Sequence, residues 1–409
     1  MDFDLSARAR AACQQMQDFV VGEVFPAEHT WAAYLREHGA HVHPPVMEAL
    51  KDSARRRGLW NLFHPKYGGL SNVEYAAVAE ISGWSPVLAP EAINCQAPDS
   101  GNMETLDLFA TPDQRQQWLQ PLLDGTIRSA YAMTEPDVAS SDATNIQTTI
   151  TRDGAHYVVN GRKWWITGLA DERCRVMIVM GKTDPNTDPH HQQSMILVPT
   201  DTPGVTIIRH LPLFGYQDQH GHAELELRDV RVPAGNLLGS EGDGFAIAQA
   251  RLGPGRVHHA MRAIGMAERA LSLMVERAKN RVAFGVPLAE QGTVRDMIAQ
   301  SRIDIDQARL YVYRTAWLLD RHGARAARSQ IAGIKVAAPA VASAVIDRAI
   351  EIYGGAGLAD DTPLAYFYAW ARALRVVDGP DAVHRRTLAL HELRHNPGRP
   401  AVATAESDH

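Results

Sequence analysis

The spacing of apolar residues changes twice along the chain and divides it into three segments. From Leu5 to about Leu123 the apolar residues recur at helical intervals, as in VEYAAVAEISGW, and the interruptions are Pro and Gly clusters such as HPKYGGLS. The next segment alternates polar and apolar residues, as in RVMIVMGKTD and HAELELRDVRVP, which predicts strands. Long helical patterns return after GSEGDG, beginning with FAIAQARLGPGRVHHAM. The predicted order is therefore helical, then β, then helical.

This order of segments predicts the fold class. Runs of helices and runs of strands argue against alternating βαβ units and favour an α+β multidomain protein. We expect an N-terminal helical domain over residues 1–128, a central β-barrel-like or sandwich domain over 129–240, and a C-terminal four-helix-bundle domain over 241–409. Within the central segment, Asp153-Gly154 and Asn160-Gly161 are the strongest turn signals, and each predicts a hairpin turn.

The composition limits the partners and the location. The chain has 409 residues, 45% of them hydrophobic, and a net charge of −6 with both signs interspersed, so a broad basic face for nucleic acid or anionic lipid is not expected. Cys13, Cys95 and Cys174 lack the CxxC spacing of a zinc or redox site, so no metal is predicted and a reducing compartment is favoured. The beginning MDFDLSARAR lacks an apolar signal-peptide core, and no stretch approaches eighteen apolar residues. These features predict a cytoplasmic protein without a membrane span.

Two motifs in the β segment carry groups that suit a flat ligand. In YAMTEPDVASSDATNI, Thr134, Ser140 and Ser141 could hold the polar groups of a flat heterocycle or a phosphate, although an ordinary loop has the same composition. In GRKWWITG, neighbouring tryptophans on a strand point to opposite faces. Either one of them lies against a ring, with Thr167 on the same face as Trp165, or the pair is simple sheet packing.

Two further motifs place an aromatic residue before glycine. These are RVAFG, after the first long helix of the C-terminal segment, and EIYGGAGL. Gly354 and Gly355 remove side chains at a point where the backbone could approach a ligand, and a helix C-cap is the alternative interpretation. His258 and His259 are adjacent on a helix, about 100° apart, and so do not make a metal pair.

Together and in this order, the four motifs closely resemble those of the acyl-CoA dehydrogenase family, and the likeness covers nearly the whole chain. The longer form TEPDVASSD and the segment DGPD resemble the subgroup of mammalian family members ten and eleven. The resemblance implies the acyl-CoA dehydrogenase fold. It also implies a homotetramer or homodimer in which each subunit binds one FAD that a neighbouring subunit completes.

The resemblance also implies a set of FAD contacts. The residues expected to line or flank the isoalloxazine are Tyr131, Met133, Thr134, Trp165 and Thr167. Ser141 is expected at the pyrophosphate, with Ser140 as the alternative because this loop is one residue longer than the common form. Pro380 is also expected to contact the cofactor. The residues expected to meet the adenine-nucleotide half of the partner's FAD are Arg281, Phe284, Gln291, Glu351, Gly354 and Gly355. Glu351 departs from the family, where glutamine is frequent.

The segment LRVVDGPDAVHRR carries the candidate base. Family members commonly have YEGTS at this corner, and its glutamate removes the α-proton of the substrate. The aligned residue is Asp378, and its backbone N–H is expected to hydrogen-bond the thioester oxygen as the enolate develops. Aspartate is one methylene shorter than glutamate, so its oxygens lie back by roughly 1 Å. An Asx-turn before Gly379-Pro380 is the alternative interpretation.

The same resemblance assigns the substrate contacts. Some relatives place the base on the first long helix of the C-terminal segment, but the aligned residue here is Gly255, which has no side chain. Arg256 beside it matches an arginine that contacts bound acyl-CoA, and a surface ion pair is the alternative. Gly379 and Ser141 are also expected near the substrate.

The resulting hypothesis is an FAD-dependent acyl-CoA dehydrogenase of fatty-acid β-oxidation. It is expected to convert an acyl-CoA to the trans-2-enoyl-CoA, with Asp378 as the base, hydride transfer to flavin N5, and an electron-transfer flavoprotein as acceptor. Two alternatives remain open. One is an acyl-CoA oxidase or nitroalkane-oxidase-like flavoenzyme, and the other is a non-catalytic acyl-binding scaffold, against which Asp378 and the intact WIT segment argue.

Overall fold

The computed structural model describes residues 3–396, with the side chains of 252–254 left aside. The described residues fall into two compact units. The first takes in those of Met1–Pro26, Ser53–Ile93 and Gly253–His409, and the second Ala27–Asp52 and Asn94–Leu252. The first unit is built from helices, and the second contains the large sheet.

Some helices begin after a residue whose side chain accepts a hydrogen bond from the first turn. Ser71 and Glu74, for example, form a reciprocal capping box in which each side chain accepts from the other's backbone N–H. The helices are α1 (Ala7–Phe19), α2 (Phe25–His38), α3 (Pro45–Arg56), α4 (Pro65–Gly68), α5 (Asn72–Ser82), α6 (Leu88–Ala92), α7 (Asp99–Phe109), α8 (Pro112–Gln114), α9 (Gln120–Leu123), α10 (Gly244–Asn280), α11 (Gly292–Ala326), α12 (Arg328–Tyr353), α13 (Leu364–Ala373) and α14 (Asp381–His395).

The second unit is organised around an eight-stranded sheet. The strands are β1 (Arg128–Ala132), β2 (Thr149–Asp153), β3 (His156–Thr167), β4 (Cys174–Lys182), β5 (Gln193–Pro199), β6 (Val205–His210), β7 (His222–Pro233) and β8 (Leu237–Leu238), and a separate hairpin consists of β9 (Val282–Ala283) and β10 (Val286–Pro287). The sheet order is β6-β7-β3-β2-β4-β5-β8, with β1 pairing parallel to β4. Alternate residues of these strands, such as Tyr157, Val159 and Leu225, form its buried core.

One of the two predicted hairpin turns is wrong. Asp153-Gly154 does turn between β2 and β3, but Asn160-Gly161 lies inside β3, which continues to Thr167. The strand is bulged there, and the backbone N–H of Asp229 on β7 donates to the Asn160 side chain at 2.7 Å. A Cβ on Gly161 would lie 2.3 Å from Thr148 Oγ1. The glycine therefore serves close packing within the sheet instead of a turn.

Two glycines allow α5 and α10 of the first unit to approach closely. A Cβ on Gly265 would lie 2.0 Å from the carbonyl oxygen of Glu80, and one on Gly83 would lie 2.3 Å from that of Arg262. Because real Cβ atoms cannot come so close to a carbonyl oxygen, the two helices touch backbone to backbone at this point.

The segment Arg328–Leu358 is apolar and long enough to cross a membrane, and 61% of its most apolar window is buried inside the protein. Such burial is typical of a core helix. The helical, β and helical segments occur in the predicted order. The limits 1–128, 129–240 and 241–409 stay a prediction.

Candidate active site

Asp378 lies in the corner between α13 and α14 of the first unit. The residues before it form tight turns, in which Val377 N donates to Ala373 O at 3.0 Å. Arg375 closes the corner, because its Nε donates to Asp381 at 2.9 Å on the first turn of α14. Asp378 itself has φ of +54° and Gly379 has φ of +98°, both in the left-handed region. The corner therefore reverses the chain at Asp378, a residue type that enters this region more readily than most.

The backbone carbonyl of Asp378 is held from two sides. Arg256 on α10 donates to it from Nη2 at 3.0 Å and from Nε at 3.3 Å. His384 on α14 lies with Nε2 at 3.1 Å from the same oxygen. Burial and the charges of Arg256 and Lys335 lower the pKa of His384 to about 4, so its ring is neutral at pH 7. Because a carbonyl only accepts, Nε2 carries the proton and donates it.

A buried lysine supports the same corner from α12. Lys335 is 1% exposed and donates to the carbonyl oxygen of Leu374, just beyond the end of α13. Burial lowers the pKa of Lys335 to about 8, while the charge of Asp378 opposes this shift. Basic side chains from α10, α12 and α14 thus surround the corner.

The carboxylate of Asp378 faces another histidine, which lies on α10. His259 Nε2 lies 3.6 Å from Asp378 Oδ2, and the two side chains are 17% and 27% exposed. The carboxylate is thus partly accessible while the backbone behind it is fixed. His258, the neighbour of His259, is instead buried edge-on against Phe63 and Tyr75.

In the second unit, β3 presents Trp165 outward. Trp165 has φ of +54° and is 40% exposed, and the pairing of β3 with β7 shifts register at this point. The expectation that the two tryptophans lie on opposite faces is wrong, because the bulge interrupts the alternation and brings their ring centroids to 6.4 Å in an edge-on contact. The ring of His222 lies 5.6 Å from that of Trp165.

Thr167 is oriented by a short chain of polar groups. Its Oγ1 lies 2.9 Å from His222 Nδ1, and His222 Nε2 lies 3.1 Å from Asp218 Oδ2. Since a carboxylate accepts, Nε2 carries a proton, and in the neutral ring Nδ1 then accepts from the Thr167 hydroxyl. The position of this hydroxyl near the exposed Trp165 ring is therefore fixed.

The YAMTEP segment is fastened to β3 beside this surface. Trp164 N donates to Thr134 O at 3.0 Å, and Lys163 Nζ donates to Met133 O at 2.9 Å and to Glu135 at 2.8 Å. Burial lowers the pKa of Lys163 to about 8, with the Glu135 carboxylate opposing this shift. The buried ion pair thus holds the backbone of Met133 and Thr134 next to the tryptophans.

The structure separates the roles of the two serines in this loop. Ser140 is 8% exposed, and its Oγ accepts from Glu135 N at 2.8 Å, so it closes the loop on itself. Ser141 is exposed. Of the two candidates for a ligand contact, Ser141 is therefore the accessible one.

A polar cluster lies at Tyr131 in the second unit. The guanidinium of Arg251 is 4.0 Å above the Tyr131 ring, and its Nε donates to Asn102 at 3.0 Å. Glu104 on α7 is close enough for the charge of Arg251 to act on it, yet burial prevails and raises the pKa of Glu104 to about 8. The carboxyl is thus largely protonated at neutral pH.

The remaining predicted contacts with the partner's FAD lie on the first unit and are exposed, except Gln291, which is half-buried. Phe284 is fully exposed at the tip of the β9–β10 hairpin, with Arg281 at its base and Gln291 just before α11. Glu351 is exposed at the end of α12, and the backbone of Gly354 and Gly355 borders open space, since a Cβ on either would meet nothing within 4 Å. These groups are accessible to a ligand or to another subunit.

Three family models match successive parts of the chain. They are the N-terminal, middle and C-terminal domains of acyl-CoA dehydrogenase, over residues 6–126, 130–230 and 242–393. The chain belongs to the acyl-CoA dehydrogenase family. The matches confirm the predicted fold of a helical, a β and a helical domain. As a family member the protein is an FAD-dependent oxidoreductase that acts on acyl-CoA.

The names of individual relatives agree with this assignment to the family. The chain is 61% identical over 395 residues to "Probable acyl-CoA dehydrogenase FadE2" of Mycobacterium tuberculosis, covering 96% of this chain and 97% of the relative. It is 51% identical over 399 residues to acyl-CoA dehydrogenase family member 10 of Mus musculus, but spans 37% of that longer protein. A solved structure of "a putative acyl-CoA dehydrogenase from Mycobacterium abscessus" is 49% identical, with a TM-score of 0.93, and the match covers 96% of this chain and 99% of that one.

The described residues of this acyl-CoA dehydrogenase family member fit FAD. In the second unit, the exposed face of Trp165, the oriented hydroxyl of Thr167 and the fixed backbone of Met133 and Thr134 suit a flat ring with polar edges. In the first unit, the open backbone at Gly354 leaves room that a phosphate group requires. FAD, when bound, would supply the acceptor for a hydride.

Several supporting residues of this family member were missed by sequence reasoning. His259 was considered only as half of a metal pair, whereas it lies beside Asp378. Thr167 is oriented by Asp218 and His222, which belong to no recognised motif. The YAMTEP backbone is held by Lys163, which lies in GRKWWITG but was assigned no role there. A signal for Lys163 was available in its place directly before the two tryptophans of β3, because a buried charge requires a partner.

Proposed function

We propose that the protein oxidises an acyl-CoA thioester to the trans-2-enoyl-CoA, with Asp378 as the base that removes the α-proton. The observation that carries this proposal is the corner itself. The carbonyl of Asp378 is held by Arg256 and His384, while the carboxylate remains partly exposed. A turn residue without chemistry does not require so many basic groups around it.

The geometry supports a general base of fixed position. The α C–H of a thioester is weakly acidic, so the carboxylate must lie at hydrogen-bond distance from it, and positioned bases of this kind contribute about 10²- to 10⁴-fold. Arg256 and His384 fix the carbonyl and with it the peptide plane that follows Asp378. We propose that the backbone N–H of Asp378 itself donates to the thioester oxygen and stabilises the enolate as the proton leaves.

The surface of the β domain is proposed to hold FAD, the acceptor of the β-hydrogen. As the α-proton moves to Asp378, the electron pair of the broken α C–H bond forms the new double bond, and FAD, when bound, would supply the acceptor for the β-hydrogen. Trp165 and Thr167, with Met133 and Thr134, are proposed to hold the isoalloxazine. Ser141 is proposed at the pyrophosphate, because Ser140 is occupied in closing its loop.

The wider role is proposed from the family. Electrons are proposed to pass to an electron-transfer flavoprotein in the cytoplasm, within β-oxidation. A chain of the solved "Electron transferring flavoprotein of Acidaminococcus fermentans" is 27% identical to this chain, with a TM-score of 0.82. A homotetramer or homodimer is proposed, in which Phe284, Arg281 and Gln291 meet the partner's FAD, as do Glu351, Gly354 and Gly355.

Replacing the base tests the proposal. Purified Asp378→Asn is expected to keep its yellow FAD but to lose anaerobic bleaching of the flavin by acyl-CoA, slowing by about 10²-fold or more. The matched control is Asp296→Asn, which removes an exposed aspartate on α11 and is expected to bleach like the wild type. Butanoyl-, octanoyl-, hexadecanoyl- and isobutanoyl-CoA form the panel.

Two outcomes contradict the assignment. Bleaching of Asp378→Asn at the wild-type rate excludes Asp378 as the base. Hydrogen peroxide formed at the rate of substrate turnover excludes an electron-transfer flavoprotein as the sole acceptor and favours the oxidase alternative.

A further inference from the structure

The close contact between the His259 and Asp378 side chains concerns how the α-proton taken from the substrate leaves Asp378. Once the carboxylate has accepted the α-proton, it must lose it before the next turnover. Asp378 Oδ2 lies 3.6 Å from His259 Nε2, and both side chains are partly exposed, at 27% and 17%. Of the other basic groups at the corner, Arg256 and His384 contact the backbone carbonyl of Asp378, Lys335 contacts that of Leu374, and Arg375 contacts the side chain of Asp381. His259 is thus placed at the reacting end of the aspartate.

We propose that His259 is a proton relay that takes the substrate-derived proton from Asp378 and passes it to solvent. This inference rests on the proposed function of Asp378. In the relay, the O–H bond of the aspartic acid breaks and an N–H bond forms at Nε2 of the neutral imidazole. The imidazolium then releases a proton to water. The carboxylate is restored, and no oxidant or further reactant is required.

General acidities favour this direction. An ordinary imidazolium has a pKa about 2–3 units above that of an ordinary aspartic acid, so a neutral imidazole takes a proton from the acid downhill. A separation of 3.6 Å is longer than a hydrogen bond, but a small rotation of either side chain or one bridging water closes it. Catalytic contacts of this kind commonly tighten when substrate binds.

The groups around the pair lie on several elements. On α10, Arg256 is one turn before His259 and His258 is its buried neighbour, while Lys335 on α12 and His384 on α14 lie at the same corner. Because burial lowers the pKa values of His258 and His384, both are uncharged at neutral pH, and the cations near the Asp378 carboxylate are Arg256 and Lys335. The partly exposed imidazole of His259 beside this carboxylate can accept its proton and release it to water.

The test compares exchange of the α-hydrogen with bleaching of the flavin. The panel member that bleaches the wild type fastest is deuterated at the α-carbon and incubated anaerobically, without electron acceptor, so that the reaction runs forward and back on the enzyme. Each reversal returns either the original deuteron or a solvent proton to the α-carbon. Mass spectrometry measures the loss of deuterium, and stopped-flow absorbance measures flavin reduction.

The variant is His259→Gln, whose amide reaches Asp378 but cannot carry a proton. Its flavin reduction is expected to stay within about threefold of the wild type, while deuterium loss falls by about tenfold or more, as expected when a positioned proton acceptor is removed. The matched control is His384→Gln, which alters the grip on the Asp378 carbonyl. In that variant reduction and deuterium loss are expected to fall together.

The remaining outcomes are decisive. If His259→Gln keeps the wild-type rates of both flavin reduction and deuterium loss, His259 is not the relay, and Asp378 exchanges directly with water. If both quantities fall in parallel in His259→Gln, the histidine only positions Asp378. If no acyl-CoA bleaches the wild-type flavin, the proposed function itself fails, and the relay fails with it.

Discussion

At the scale of single residues, the candidate site is a carboxylate whose backbone is fixed more firmly than its side chain. Asp378 takes a left-handed conformation, which for a residue with a Cβ costs roughly 1–2 kcal/mol. The hydrogen bonds of Arg256 and His384 to its carbonyl offset that cost. We therefore attribute to Arg256 a positioning role, in addition to any contact with substrate.

This role gives a prediction for Arg256. In Arg256→Gln the carbonyl of Asp378 loses its charged donor, and the carboxylate moves relative to the α-carbon. Because a misplacement of about 1 Å can cost about 10²-fold, flavin reduction is expected to slow by about 10- to 100-fold at unchanged FAD content. Stopped-flow bleaching and the flavin-to-protein absorbance ratio measure the two quantities. The control is Arg386→Gln, an exposed position on α14, and equal rates in both variants would exclude the positioning role.

The sequence singles out Asp378 and Trp165 as candidates because each belongs to a short contiguous motif. It could not identify His259 as a neighbour of Asp378, since the two residues lie on different helices and meet only through tertiary packing. The same holds for the contact of His222 with Thr167. Residues that act through others carry no local signal of their own.

At the scale of elements, the close crossing of α5 and α10 is a contact that a single added methyl group would disrupt. Periodicity predicted both helices, but the glycines at the crossing look alike in sequence to the glycines of exposed turns. Only the packing distinguishes them. The same is true of Gly161, where the expected turn is a close approach within the sheet.

We expect Gly265→Ala to destabilise the protein. Its Cβ would lie 2.0 Å from the carbonyl oxygen of Glu80, so the helices must move apart, at a cost of about 1–3 kcal/mol. Urea denaturation followed by circular dichroism measures the loss. In the control Gly22→Ala the new Cβ meets nothing within 4 Å, and stability should be unchanged or higher by up to about 1 kcal/mol. Equal stability of the two variants would disprove the close crossing.

At the scale of the whole molecule, ionisable groups with shifted pKa values influence how stability depends on pH. The pKa of Glu48 is lowered to about 2, first by a hydrogen bond from His43, and the pKa of Asp171 is lowered because His220 and Arg173 outweigh its burial. Such carboxylates stabilise the fold above their unfolded pKa values and lose this contribution as the pH falls. Glu104 has the opposite effect, since burial raises its pKa from 4.5 to about 8.

The sign for Glu104 follows from proton binding. Between pH 4.5 and about 8 the folded protein keeps a proton that the unfolded chain has lost, so this group makes the fold less stable as the pH rises. Glu104→Gln removes the penalty. Its gain in unfolding free energy over the wild type is expected to be near zero at about pH 4.5 and to grow until about pH 8. Urea titrations across this range measure it, and a gain independent of pH would contradict the buried, protonated state.

The left-handed torsion at Asp378 also limits the evolutionary paths open to this corner. Asparagine and glycine tolerate the torsion but carry no basic oxygen, so they preserve the turn and abolish the chemistry. Glutamate keeps the carboxylate but meets the torsion with an ordinary side chain, so a one-base codon change to the longer acid incurs strain at once. Proteins with this corner are thus expected to keep aspartate at this position unless the backbone changes at the same time.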